Sequence, residues 1–394
     1  MKGGFRLDIK IDYDSYYFDV APFIEAAKAL GCWVVVIVGA RDRGKTYSTL
    51  KYTYENNEQI IFLKRQVGDI SLLCLNAKNV ERKRIKAARA KDDEDIDLEE
   101  FDEDDDFSPY ADLNEDLGIN VQPKMLDKEQ GIATFYDRDI DTWKAKKKVG
   151  IALAVKSIAK YKGFGGLRKC KYLVFDEFIP APWERGISKL EGESVVDLYS
   201  TISRDREQRG QEALLMICLA NANDLSNQMF NTLEITDDVV DMINHGEDIR
   251  VIGRKLVVLV DDSKLQVAKD EKKTLIYQDM KDTMWGRVSF NNEFARNDIS
   301  CIGFTSIKKM ICRCSVTYKN ETWYVYQKDE KFYVCASRSN KIPVEYDLNF
   351  ESTRKPFYLK EVVALVNAYH KGNILFAKFR MYDVIIHFKK FFEI

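Results

Sequence analysis

Trp33-Val34-Val35-Val36-Ile37-Val38-Gly39-Ala40-Arg41-Asp42-Arg43-Gly44-Lys45-Thr46 is the stretch that decides how this chain is read. Six apolar residues run without a polar break, which marks a strand buried on both faces. Directly behind them stands G-x-x-x-x-G-K-[ST], a Walker A loop in its proper setting. The glycines permit the tight turn, and the backbone N–H groups with the following helix N-terminus form a nest for phosphate oxygens. In this pattern Lys45 reaches the phosphates and Thr46 a Mg²⁺ ion. The nucleotide-contacting set is then Gly39, Ala40, Arg41, Asp42, Arg43, Gly44, Lys45, Thr46 and Tyr47. Such a match arises by chance in a chain this long about once in a hundred sequences, so a plain glycine turn is the weaker reading.

Working outward, the 394 residues leave room for two domains, and 45% hydrophobic residues suffice for real cores. The net charge of -2 gives no global reason to expect nucleic acid. One acidic segment distorts that sum, however, and without it the remainder is basic. Eight cysteines are scattered with no C-x-x-C pair and only three histidines beside them, which argues for a reduced, intracellular protein without a zinc site. No apolar run approaches the ~18 residues of a membrane span, and the N-terminus carries no export signal.

Strands alternate with helices in the first part. Ala21 to Leu30 reads as a helix, Trp33 to Val38 as a strand, Lys45 to Tyr54 as a helix and Ile60 to Lys64 as a strand, which together imply a parallel sheet. The pattern breaks near Asn76, where a basic block from Lys78 to Lys91 runs into an acidic block from Asp92 to Asp106. We read residues 77–130 as a charged insertion. Opposed like-charge runs are mostly solvated segments, and the alternative is an interaction arm or a DNA-mimicking plug. Order resumes with strands at Thr134 to Tyr136, Gly150 to Val155 and Lys171 to Asp176, a helix from Val195 to Gln208 and a strand from Leu214 to Leu219. From Leu256 onward short β-type runs dominate. The expected division is an ATPase domain over 1–235, a linker over 236–257 and a smaller α/β domain over 258–394.

Tyr172-Leu173-Val174-Phe175-Asp176-Glu177 is an apolar strand ending in two acids, a Walker B motif. Asp176 would hold the Mg²⁺ shell and Glu177 would polarise the attacking water as general base. Leu214 to Leu219 leads to Asn221 at the same sheet edge, either as a sensor of the γ-phosphate or as an ordinary strand-end turn. Arg204 is either a surface charge paired with Glu207 or Glu212, or an arginine finger for a neighbouring subunit. Arg41 and Arg43 sit inside the phosphate loop, free to stabilise charge in cis or to sense a partner. Lys64-Arg65, Lys160 and Lys162 are placed to contact phosphate of nucleotide or DNA, and Lys144, Lys146, Lys147 and Lys148 beside Trp143 form the best candidate for a DNA-facing hairpin.

In order and wording these motifs resemble those of the DNA-encapsidation ATPases of small podophages of the Salasmaviridae type, terminase-like genome-packaging motors. The resemblance rests on GARxxGK[ST] ending at Lys45-Thr46, hhVFDEF at Leu173 to Phe178, Arg-x-Arg-Glu at Arg204 to Glu207, Leu-x-Asn-Ala at Leu219 to Ala222, and Val288 to Phe294. It implies an α/β fold: an ASCE-type P-loop NTPase with a mostly parallel sheet, followed by a smaller RNase H-like domain. It also implies that Arg204 acts in trans and that Arg41 is the family's phosphate-loop arginine. The first strand expected in the C-terminal domain, Met310 to Tyr318, carries Cys312 and Cys314 where two-metal nuclease chemistry needs an aspartate, so no nuclease activity is expected.

The function so implied is an ATP- and Mg²⁺-dependent translocase that packages double-stranded DNA as a homo-oligomeric ring, a pentamer by the resemblance. Its implied partners are the portal of a procapsid and a packaging RNA, with no membrane partner. Its place is the host cytoplasm, transiently on the procapsid and not in the mature virion. The alternatives are a helicase or other nucleic-acid remodelling ATPase, and a nucleotide-gated assembly protein with little turnover, against which Glu177 argues.

Overall fold

The computed structural model describes residues 9–75, 107–161, 165–294 and 297–394. These form two compact units, one of Met1–Asn223 with Gly246–Phe294 and one of Asp224–His245 with Ala295–Ile394. The first unit is built on nine strands: β1 Val34–Val38, β2 Ile60–Lys64, β3 Val121–Asp127, β4 Ile132–Arg138, β5 Ala145–Ala154, β6 Tyr172–Asp176, β7 Leu215–Ala220, β8 Ile249–Ile252 and β9 Lys255–Leu259. They lie in the order β3-β4-β5-β2-β6-β7-β1-β9-β8. From β5 to β9 every neighbouring pair is parallel, whereas β3, β4 and β8 are added antiparallel at the two edges. The sheet is therefore mixed and largely parallel.

All five residues of β1 are buried, as an unbroken run of Val and Ile requires of a central strand covered on both faces. One face of the sheet, through Val35, Ile37, Phe62, Val174, Ile217 and Val258, packs with Phe23, Ile24 and Ala27 of helix α1 (Ala21–Ala29) and Leu50 of helix α2 (Lys45–Glu55). Because β1, β2, β6, β7 and β9 share one direction, their carboxyl ends gather at one edge, which is where open α/β sheets build their sites.

The structure departs from the expected division: residues 224–235 fall in the second unit and residues 258–294 in the first. Strand β9 belongs to the first sheet: Val34 to Val38 pair in register with Lys255 to Leu259, and Leu256 to Val258 are fully buried. A short apolar run does not reveal which distant strand it will join. The expected linker over 236–257 instead holds the helix Thr236–His245, which buries Thr236, Val239, Val240 and Met242 in the second unit, followed by β8 and the start of β9 in the first. The expected insertion over 77–130 is also shorter at its far end. Helix Ala111–Leu117 and β3 are regular elements, and β3 extends the sheet by pairing with β4. The basic and acidic blocks from Lys78 to Asp106 lie outside the described residues.

The second unit carries strands β10 Ile311–Tyr318, β11 Glu321–Lys328, β12 Lys331–Cys335, β13 Glu345–Asp347 and β14 Ile374–Phe376 in the order β13-β10-β11-β12-β14. β10 to β12 form an antiparallel meander, with β13 parallel to β10 and β14 parallel to β12. Trp323 is fully buried in it. Cys312 and Cys314 are buried on β10, and burial pushes both thiols up.

Candidate functional site

The chain leaves β1 at the carboxyl edge and turns through Gly39–Gly44 into α2. Gly44 takes φ 83°, the left-handed region open to glycine, and N-caps the helix. A Cβ added there would lie 3.0 Å from Cβ of Tyr17. Residues 17–20 are laced onto this loop and helix: the Phe18 N–H donates to the Arg43 carbonyl at 2.9 Å and the Val20 N–H to Ser48 Oγ at 2.9 Å. Tyr47 points its hydroxyl at Asp116, 2.7 Å away, and that hydrogen bond raises its pKa to about 12.

Lys45 is buried at the foot of the loop. Its ammonium donates to the Gly39 and Ala40 carbonyls and, at 3.3 Å, to Asn221 Oδ1. Burial holds its pKa below the ordinary lysine value despite Asp262 and Asp176 nearby. Thr46 Oγ1 donates to Asp176 Oδ1 at 3.0 Å, so the helix start and the end of β6 present two hard oxygens side by side. That donor pair fits Mg²⁺, which takes one or two protein oxygens and completes its shell with water and phosphate. Lys64, at the end of β2, donates to Asp176 Oδ2 at 3.0 Å and to Glu177 Oε2 at 3.4 Å. Burial opposes its charge, but the two carboxylates prevail and raise its pKa.

Glu177 combines an exposed carboxylate with φ 55°, a strained conformation for a side-chain-bearing residue. Arg65 holds it there. The guanidinium donates to the Glu177 and Phe178 carbonyls at 3.1 Å each, and pairs with Glu191 at 2.8 Å and Glu184 at 2.9 Å. Arg65 is 5% exposed, so the expectation that it contacts nucleotide or DNA phosphate is corrected: it is an internal brace. Arg43 is corrected likewise. Its side chain is 2% exposed and paired with Glu271, so the guanidinium is not free to sense a partner. Arg41 remains exposed, its guanidinium 6.0 Å from the Trp183 ring, and both line one cleft with Lys64, Asp176, Glu177 and Asn221.

Two residues of this site were not assigned to it from the sequence, although Asn292 lies in the Val288–Phe294 stretch. Asp262 follows β9, is fully buried, and accepts the Ala40 N–H at 2.6 Å. Asn292 donates to the Val38 and Val260 carbonyls at 3.1 and 3.2 Å and accepts the Ala222 N–H at 3.1 Å, tying the ends of three strands. A signal for Asp262 exists: Leu256-Val257-Val258-Leu259-Val260-Asp261-Asp262 repeats the apolar-run-then-two-acids pattern of β6. Burial raises the Asp262 carboxyl from 3.8 to about 6, so the folded state binds its proton more tightly than the unfolded chain. Its contribution to stability is full at low pH and is lost as pH rises through about 6. Across pH 4 to 7 the Tm of the protein is therefore expected to fall more steeply than that of the Asp262→Asn variant. Parallel profiles would contradict this.

The remaining candidates lie elsewhere. Arg204 sits in the second half of the helix Glu191–Gln208, which begins beside Arg65 and returns to the opposite sheet edge, where Arg204 lines a cleft with Trp33, Tyr172, Leu214 and Arg254. It is exposed and has no ion pair among the described residues. Of the acids expected to pair with it, Glu207 accepts from Ser203 Oγ at 2.7 Å. Lys146, Lys147 and Lys148 are strand residues of β5, not a hairpin tip, with Lys144 just before the strand. Lys146 pairs with Asp139, Lys147 lies 3.9 Å over the Tyr54 ring, and Lys148 is half-buried. Lys160 is exposed beyond the other end of β5, so these lysines do not form one patch. Lys162 lies outside the described residues.

Fold and site together define an α/β protein whose glycine loop, buried lysine and strand-end carboxylates meet at the carboxyl edge of a largely parallel sheet. Two solved structures share this fold. The bacteriophage Phi-29 viral genome packaging motor assembly matches with a TM-score of 0.59 and 16% identity, over 96% of this chain and 100% of that one. The Phi-28 gp11 DNA packaging motor matches with a TM-score of 0.55 and 16% identity, over 96% and 98%. At that identity the likeness is one of fold. No protein-family model and no curated protein matches the sequence.

Proposed function

We propose that the protein is an ATP-driven motor that moves double-stranded DNA into a viral procapsid, working as a ring of identical subunits. The observation that carries this reading is Lys45: a buried ammonium held by carbonyl and amide oxygens, with burial weakening its charged form, at the mouth of a glycine loop. A triphosphate supplies the missing counter-charge. The fold shared with packaging motors across nearly the whole chain supports the same reading.

In the mechanism, backbone N–H groups of Gly39 to Gly44 and the Lys45 ammonium bind the β- and γ-phosphates. The Thr46 hydroxyl and the Asp176 carboxylate would hold Mg²⁺, which when bound neutralises charge on the phosphate oxygens. Glu177, held forward by Arg65, takes the proton of the attacking water as the Lys64 ammonium releases it. Asn221, through Lys45, couples the phosphate site to β7. Arg204 faces away from its own loop and completes the site of an adjacent subunit, where a guanidinium neutralises transition-state charge. DNA contacts are made to phosphates by exposed lysines such as Lys144 and Lys160, and are indifferent to sequence. The second unit, an RNase H-like domain without nuclease residues, docks on the portal or its RNA. The protein acts in the host cytoplasm.

The trans arrangement is tested by complementation. Arg204→Ala and Lys45→Met subunits are each expected to be inactive alone and to recover ATP turnover when mixed, because some interfaces then join an intact Lys45 to an intact Arg204. Mixtures as inactive as their components would refute the ring site.

A further inference from the structure

We propose that Asp262 is a positioning residue that holds the Gly39–Gly44 loop in its phosphate-receiving shape. This rests on the reading of that loop as the nucleotide site. Strand β9 continues β1 in register, Val38 opposite Leu259, so the residues just beyond β9 run alongside the start of the loop. From there, 222 residues away in sequence, Asp262 Oδ2 accepts the Ala40 N–H. Its other oxygen lies 3.9 Å from Arg43 Nε. Among the described residues neither of these facing atoms, Asp262 Oδ1 or Arg43 Nε, has a hydrogen-bond partner, and both are buried. The far end of the Arg43 guanidinium is taken by Glu271. One carboxylate thus fixes the loop on both sides of Arg41-Asp42, where the backbone reaches φ 54° at Asp42.

The alternative for such a group is a plain packing role, and charge argues against it. A fully buried carboxylate is costly to keep unless charged and hydrogen-bonded partners offset the loss of water. Here burial outweighs Lys45, the Ala40 N–H and Arg43, and the carboxyl is raised to about 6. A stability-driven position would favour an apolar side chain, as at the neighbouring Val258 and Val260. A strongly perturbed acid beside a ligand loop marks a functional position. Its negative charge also stands where Lys45 lacks a counter-ion before a triphosphate arrives. The loop is thereby formed in advance, and binding does not have to order it.

The test is a KM-against-kcat comparison on the full chain. Asp262→Ala leaves the Ala40 N–H without an acceptor and is expected to raise KM for ATP by roughly tenfold to a hundredfold, the scale of a lost hydrogen bond to a charged group. kcat is expected to change by less than about threefold, since the group acts on binding and not on the chemical step. Asp262→Asn keeps the acceptor and the volume and should restore most of the affinity. Wild-type KM in Asp262→Ala would overturn the proposal. So would equal losses in both variants that follow their Tm values, because that is the signature of packing alone. Binding of inorganic tripolyphosphate by the unmodified protein separates the two levels of the argument. Failure to bind either tripolyphosphate or ATP overturns the nucleotide site and this inference with it, whereas normal binding together with insensitive Asp262 variants overturns only the role of Asp262.

Discussion

Glutamine in place of Glu177 is expected to slow ATP turnover by roughly 10²–10⁴-fold while ATP still binds, the effect of removing a positioned general base. The amide keeps the size of the side chain and cannot take the water proton. Binding persists because the loop N–H groups and Lys45 remain as they were, and Lys64 loses only its weaker partner at 3.4 Å. The backbone at φ 55° is held by Arg65 through the carbonyls of Glu177 and Phe178, so the substitution does not release the turn. Rapid-quench turnover with an equilibrium measurement of bound nucleotide checks both halves. Retained hydrolysis in Glu177→Gln would remove Glu177 from the chemistry.

Methionine in place of Arg65 is expected to destabilise the first unit by roughly 3–5 kcal/mol, the cost of leaving one member of a buried ion pair alone. Glu191 is only 3% exposed, and burial already raises its pKa although Arg65 lies 2.8 Å away. Without the guanidinium its charge has no buried partner, and two carbonyls of the Glu177 turn lose their donor. For a unit of this size the loss corresponds to a Tm lower by about 10 °C. Arg65→Met combined with Glu191→Leu should recover much of it, since replacing a whole buried pair by apolar side chains is often close to neutral. Turnover should stay low in the double variant, because the turn at Glu177 still lacks its brace. A calorimetric Tm unchanged in Arg65→Met would contradict the account.

The parts of the site that could be read from the sequence are those made by neighbouring residues. Gly39 to Thr46 and the Asp176-Glu177 strand end are each complete within a few positions, and the buried runs around them have the period and length of central strands. Arg204 and Asn221 fall on the helix and strand end expected for them. What escaped were contacts between residues far apart in sequence. Nothing near Arg65 says that Glu191 will meet it, and nothing near Asp262 says that β9 will lie beside β1, because register is set by non-local pairing. The same blindness placed residues 258–294 in the wrong unit. Lys147 shows a further limit: the lysine run reads as a DNA-facing hairpin, yet the Lys147 ammonium lies over the Tyr54 ring.

The measurement that bears most directly on the central claim is steady-state ATP hydrolysis by the purified protein without DNA, with single-stranded DNA and with duplex DNA, each at two salt concentrations. The account predicts stimulation by duplex that fades at the higher salt, because phosphate contacts release condensed counter-ions. Stimulation by single strands alone, or turnover that no DNA alters, would contradict a duplex-packaging motor.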